Sequence, residues 1–175
     1  VPKFISSEEK EIVSNERGTA YHRVMECLNY SKAGSTEDIK NEIDRMVREE
    51  KLSLKQAECI KLKDIDTFAG SSIGERIKRA YAYGGVKREQ PFVFEYDRQL
   101  VQGVIDLYFI EDGQLVIVDY KTDRVLRGRA GEDELRRRYS IQLDYYAMAL
   151  SQITGLKVKE KVIYSFALGR SLTVE

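Results

Sequence analysis

One dipeptide constrains this chain more than any other feature. Asp112-Gly113 separates two apolar runs, Gln102 to Ile110 and Leu115 to Tyr120. Asp-Gly in that setting signals a hairpin with Asp112 and Gly113 as the two central turn residues. Glu111 then pairs with Gln114, and counting back along both strands sets Asp106 directly opposite Asp119. Lys121 shares the face of Asp119, because side chains alternate along a strand. On the same pleat Ile105, Leu107 and Phe109 line one face, and Tyr108, Ile110, Leu115 and Ile117 the other, so both faces are apolar. Like charges facing each other destabilise a ladder. Two acids and a lysine at one end of a buried hairpin therefore imply a bound cation, for which magnesium with its hard oxygen ligands is suited, or an Asp-Lys ion pair. Spacing alone leaves the two readings level.

The rest of the chain reads as helical first and mixed afterwards. Thr19 to Tyr30 is a helical run, and Ser35-Thr36-Glu37-Asp38 and Ser53-Leu54-Lys55-Gln56 resemble capping boxes that open helices of about four and about three turns. Ile39, Ile43, Met46 and Val47 recur at helical spacing, as core residues do, and a short helix near Ile73 to Tyr81 ends at Gly84-Gly85. From Pro91 the period changes. Phe92 to Tyr96 reads as a strand, making a three-stranded meander with the hairpin, followed by a helix over Tyr139 to Ile153 and a strand over Val158 to Ala167. The last strand is expected beside the hairpin, with the helix as its crossover.

Gly103-Val104-Ile105-Asp106, Asp119-Tyr120-Lys121, and Gln142 with Tyr146 together resemble the RecB-type PD-(D/E)XK nucleases. Gly18-Thr19-Ala20-Tyr21-His22, Arg88-Glu89-Gln90-Pro91-Phe92 and Asp119-Tyr120-Lys121-Thr122-Asp123 narrow the likeness to the nuclease domains that end AddA-type helicase-nuclease chains. The likeness runs from about Gly18 to the end. It implies an α/β, restriction-endonuclease-like core with a central mixed sheet flanked by helices, behind a helical N-terminal part. On that reading residues 1–175 form a single nuclease domain, 1–88 mainly helical and 89–175 carrying the meander, helix and final strand. The absence of an initiating Met makes a piece of a longer chain the expectation.

The resemblance also implies roles. Asp106, Asp119, His22 and the main-chain carbonyl of Tyr120 would hold magnesium, with manganese able to substitute, and Lys121 would position or help deprotonate a metal-bound water. Glu89 would act at the catalytic or a second metal, and Gln142 and Tyr146, four apart on one helix face, would support the lysine or the DNA. By themselves these residues have plainer readings: His22, the one histidine, as a structural helix residue, Glu89 as an exposed acid at a strand start, and Gln142 with Tyr146 as a core contact. The implied reaction is phosphodiester hydrolysis in single-stranded DNA fed by a helicase, during recombinational repair of double-strand breaks, and the implied partner is an AddB-like second subunit. Two alternatives are a stand-alone RecB-like exonuclease and a non-catalytic DNA-guiding or docking module.

Composition bounds these readings. The 29 basic and 29 acidic residues cancel, so DNA binding must be local or assisted. Arginine gathers after the hairpin, at Arg124, Arg127 and Arg129 and again at Arg136-Arg137-Arg138. Alone such a run is a solvated face, but beside a phosphodiester-cleaving centre Arg124, Arg127 and Arg129 are candidates for holding phosphates. Cys27 and Cys59 sit in helical patterns as small core residues and cannot make a four-cysteine iron-sulfur cluster. No Gly-rich phosphate loop of the ATPase kind is present. With no apolar stretch of membrane-spanning length and no signal-peptide pattern, a cytoplasmic location without a membrane partner is expected.

Overall fold

The computed structural model describes residues 7–175. The chain falls into two compact units, one ending at Asp66 and the other running from Thr67 to Glu175.

The first unit is helical: α1 (Ser7–Cys27), a 3₁₀ turn (Tyr30–Lys32), α2 (Thr36–Arg48), α3 (Leu54–Glu58) and the start of α4 (Leu62–Ala69). Ala20, Tyr21, Val24 and Met25 form a buried stripe at the end of α1, continued by Leu28 just beyond it, and Ile39, Ile43 and Met46 do so on α2. Ser35 caps α2 by accepting from the Asp38 N–H. Glu42 is buried on this helix. Burial acts to raise its pKa, but hydrogen bonds from Arg45 and the Asn29 N–H outweigh that and hold the carboxyl below its ordinary range.

One expected helix is cut short. Ser53 and Gln56 form the capping box, yet α3 is a 5-residue helix ending at Glu58 instead of about three turns. The Lys61 N–H donates to the Tyr21 hydroxyl, which itself donates to Asp64. A tertiary partner thus takes a backbone donor that a continuing helix would have bonded internally, and α4 begins anew. Cys27 and Cys59 are half-buried, not core.

The second unit holds α5 (Ser72–Ala82), β1 (Val86–Tyr96), β2 (Gln99–Glu111), β3 (Gln114–Lys121), α6 (Arg129–Thr154), β4 (Val158–Ser165) and β5 (Arg170–Val174). The sheet order is β1-β2-β3-β4-β5, antiparallel except where β4 lies parallel to β3. A parallel neighbour needs a crossover, and α6 is that crossover, as expected. Leu135, Leu143, Tyr146, Ala149 and Leu150 of α6 pack on Tyr108, Leu115, Ile117, Ile163 and Leu172 of the sheet. On the other face the rings of Phe68, Tyr120, Tyr164 and Phe166 pack edge to face and tilted.

In the second unit, three elements depart furthest from the sequence expectation. Helix α6 begins at Arg129, ten residues before Tyr139; its first turns bury only Gly131 and Leu135 and are laced by Arg–acid pairs such as Arg136–Glu132 and Arg138–Glu134, so apolar periodicity could not reveal them. Strand β1 starts at Val86 through a polar stretch, and β5 adds an edge strand that sequence reading omitted.

Candidate active site

The hairpin turn is as expected. Asp112 and Gly113 take φ of 53° and 74°, and Glu111 pairs with Gln114. The ladder of β2 with β3 then runs to Leu107↔Val118 and stops. The next two residues are Asp106 and Asp119, so the acids face each other where the strands part. Asp106 Oδ2 accepts the Tyr120 N–H at 2.8 Å, so a side chain takes a donor that ladder pairing would otherwise use.

A third acid stands in line. Arg88↔Leu107 and Gln90↔Ile105 flank Glu89, which therefore faces Asp106 from β1 but forms no ladder pair there. Glu89 has φ of 49°, a left-handed conformation uncommon for a side-chain-bearing residue. The alternation of faces slips at this point. Arg88 lies over the ring of Tyr81 on α5, whereas Phe92, of the same parity, packs against Tyr146 on α6. Strand β2 slips with it: Ile105 joins Tyr108 in the core against α6, while Phe109 lies under Arg76 of α5. The expected single face of Ile105, Leu107 and Phe109 is thereby broken, since a strictly alternating pleat allows no such slip, and Ile110, expected on a buried face, is exposed one step from the turn.

Asp119 is only 1% exposed. The Lys121 ammonium lies 2.9 Å from its Oδ2, close enough for ion pairing although the angle is not that of a hydrogen bond. The same ammonium donates to Gln142 Oε1 at 3.2 Å and stands 4.1 Å from the centroid of the Tyr139 ring. The Tyr139 hydroxyl donates to Asp123 Oδ2, which Arg138 also contacts. Burial, then the Asp123 hydrogen bond, push the Tyr139 phenol up to about 12. Tyr146 is raised further, first by burial and then by the fields of Asp119, Asp106 and Glu89 in falling order. All three acids thus act on one phenol.

Asp106, Asp119, Glu89, Lys121, Gln142 and Tyr146 are therefore brought together in the second unit. His22 belongs to the first, on α1, with Nδ1 2.9 Å from the Gly18 carbonyl. Arg124, Arg127 and Arg129 are exposed. Of the later arginines, Arg138 is tied to Asp123 and Glu134, and Arg136 to the Thr173 carbonyl. A Cβ on Gly131 would lie 1.8 Å from the Leu126 carbonyl, so the segment carrying Arg124 and Arg127 folds tightly onto the first turn of α6. The parts that sequence reading did not combine are Tyr139 and Asp123; the only signal was the spacing of Tyr139 to Gln142 on one helix face.

Among the described residues no three His, Cys, Asp or Glu side chains form a ready-made metal cage. Magnesium does not need one, since it keeps several waters and commonly binds through one or two carboxylates. The hard oxygens of Asp106 and Asp119 fit that requirement.

Comparison with known proteins gives the family. Residues 2–172 match the profile of the PD-(D/E)XK nuclease superfamily. The A subunit of the ATP-dependent helicase/nuclease from Clostridium novyi (strain NT) is 35% identical over 181 residues, covering 94% of this chain and 14% of that protein. The protein of the same name from Clostridium kluyveri is 36% identical over 95% of this chain and 14% of its own length. That from Lachnoclostridium phytofermentans is 31% identical over 100% of this chain and 16% of its own. The chain thus spans 14–16% of the length of these relatives.

Proposed function

The chain belongs to the PD-(D/E)XK nuclease superfamily, and from that membership we propose that it is a metal-dependent deoxyribonuclease domain acting on single-stranded DNA delivered by helicase domains of a longer chain. The observation that carries this reading is the meeting of Asp106, Asp119 and Glu89 with Lys121 where the β2–β3 ladder opens.

Asp106 and Asp119 would hold magnesium or manganese, with the Tyr120 carbonyl as the further donor that family resemblance implies. When bound there, the cation supplies Lewis acidity toward the phosphate and a more acidic water. Lys121 positions the attacking water and offsets charge that develops on the phosphate oxygens. Gln142 orients the ammonium. Tyr146 stands in the field of the acids and supports the site from α6, and Glu89 adds a carboxylate for a second cation or for proton transfer. Arg124, Arg127 and Arg129, exposed just past Lys121, hold the phosphates of the incoming strand.

The wider role we propose is processing of double-strand breaks for recombination in the bacterial cytoplasm, together with an AddB-like second subunit. Among the described residues no helix is long and apolar enough to cross a membrane.

The test is cleavage of end-labelled single-stranded DNA by this chain with magnesium, manganese or EDTA, for the parent, Asp119→Ala and Lys121→Ala. Metal-dependent cutting by the parent that both variants lose is the expected result. A parent that neither cuts nor binds metal by calorimetry would turn the reading toward a DNA-guiding or docking module.

A further inference from the structure

Resting on the nuclease reading, we propose that Tyr139 is a positioning residue whose ring holds the Lys121 ammonium in place, and that Asp123 in turn holds the ring. A lysine ammonium is a point charge on a flexible four-carbon stem with three rotating donors, so a task at one spot requires outside restraint. Strand β3 ends at Lys121, so the strand supplies no neighbour beyond it. Three groups surround the ammonium: Asp119 Oδ2 at 2.9 Å, Gln142 Oε1 at 3.2 Å and the Tyr139 ring centroid at 4.1 Å. The ring and the amide come from one face of α6, three residues apart.

The ring is fixed at its far end. Its hydroxyl donates to Asp123 Oδ2 at 2.5 Å, and Arg138 donates to the same oxygen at 2.7 Å. Asp123 lies two residues past Lys121, so the segment leaving β3 is fastened to the helical turn that holds the lysine. That segment continues into Arg124 and Arg127. The arginines proposed to receive phosphate and the lysine proposed to act on it therefore share one anchor. The Lys121 side chain is 14% exposed, and a partly desolvated ammonium over a ring face is the case in which a cation–π contact matters most. A merely structural tyrosine would support folding without fixing the ammonium.

The distinguishing signature is the ring current. In the metal-free chain the Lys121 Hε signals should lie upfield of ordinary lysines, stay there in Tyr139→Phe and move to the ordinary position in Tyr139→Leu. Tyr139→Met, which also lacks a ring, replaces the leucine variant if that one fails to fold. In cleavage assays kcat should fall about tenfold to thirtyfold in Tyr139→Leu with KM unchanged, and by about threefold in Tyr139→Phe, which keeps the ring and loses its tether. Ordinary Lys121 shifts in the parent, or parental kcat in a folded variant without the ring, would overturn the proposal. A parent that does not cut with either metal would sink the nuclease reading instead, and the metal-free spectra would still decide whether Tyr139 holds Lys121.

Discussion

The two ends of the β2–β3 hairpin carry similar residues and treat them in opposite ways. At the turn, Glu111 is gripped by both Nε and Nη2 of Arg76 and again by Lys159, which also meets Asp112, while Arg76 reaches Glu160. The ladder is intact there up to Glu111↔Gln114. The acids are partly open to water: Glu111 keeps 26% and Asp112 80% of its side-chain surface. At the other end the ladder has stopped, Asp106 has taken a backbone donor, and Asp119 is buried beside Lys121. A forked guanidinium on an exposed carboxylate is how acids contribute to stability. Acids gathered at a broken ladder, one of them buried, weaken the sheet locally, and such an arrangement is expected where chemistry needs those groups.

The largest effect should come from exchanging charge at one end and then at the other. Asp106→Asn keeps an oxygen to accept the Tyr120 N–H, so the fold should hold, while the cleavage rate falls by about 10²–10³-fold. Glu111→Gln should leave the rate unchanged. Equal loss of cutting in both would erase the functional distinction between the ends. Next in size, Arg76→Ala strips the guanidinium from Glu111 and Glu160 and should destabilise the chain by about 1–2 kcal/mol in chemical denaturation, with kcat unaltered.

The same network sets a pH dependence. Arg76 first, and Lys159 after it, pull the Glu111 carboxyl from 4.5 to about 2 against a smaller opposing effect of burial. In that window the unfolded chain binds more protons than the folded one, so stability rises with pH. Glu111 should therefore contribute fully above pH 4.5 and lose its contribution as pH falls toward about 2. Urea unfolding between these limits should show the loss in the parent and a flatter profile in Arg76→Ala.

The two ends were not equally legible in the sequence. Asp112-Gly113 specifies its own turn, and a two-residue turn fixes every partner behind it, which is why Asp106 and Asp119 could be paired by counting. The register held, but the faces did not, because nothing in the letter Glu at position 89 announces a positive φ. Similarly, α3 ends where the Tyr21 hydroxyl takes the Lys61 N–H, a partner 40 positions away that no local pattern contains. The first turns of α6 stayed hidden for the opposite reason. They are held by charge pairs at helical spacing around Leu135, so no apolar stripe marks them. In the site, the acids and lysine were readable as residue types at a set spacing, whereas the Tyr139 ring beneath the ammonium depends on the height at which α6 crosses the sheet.

The smallest predicted effect goes directly to the backbone that opens the ladder. If the left-handed φ of 49° at Glu89 is imposed by the surrounding sheet, then any residue with a Cβ bears its cost and glycine does not. Removing the carboxylate would confuse that comparison, so the informative pair is Glu89→Ala against Glu89→Gly, which lose the same charge and the same contacts. Glycine is ordinarily the worse residue in a strand by roughly 0.5–1 kcal/mol. Here the order should invert, with the glycine variant more stable by about 1 kcal/mol in urea unfolding. An alanine variant as stable as or more stable than the glycine one would mean that position 89 can relax into an ordinary strand conformation. The face slip, and with it the alignment of Glu89 with Asp106 and Asp119, would then belong to the glutamate side chain and not to the sheet.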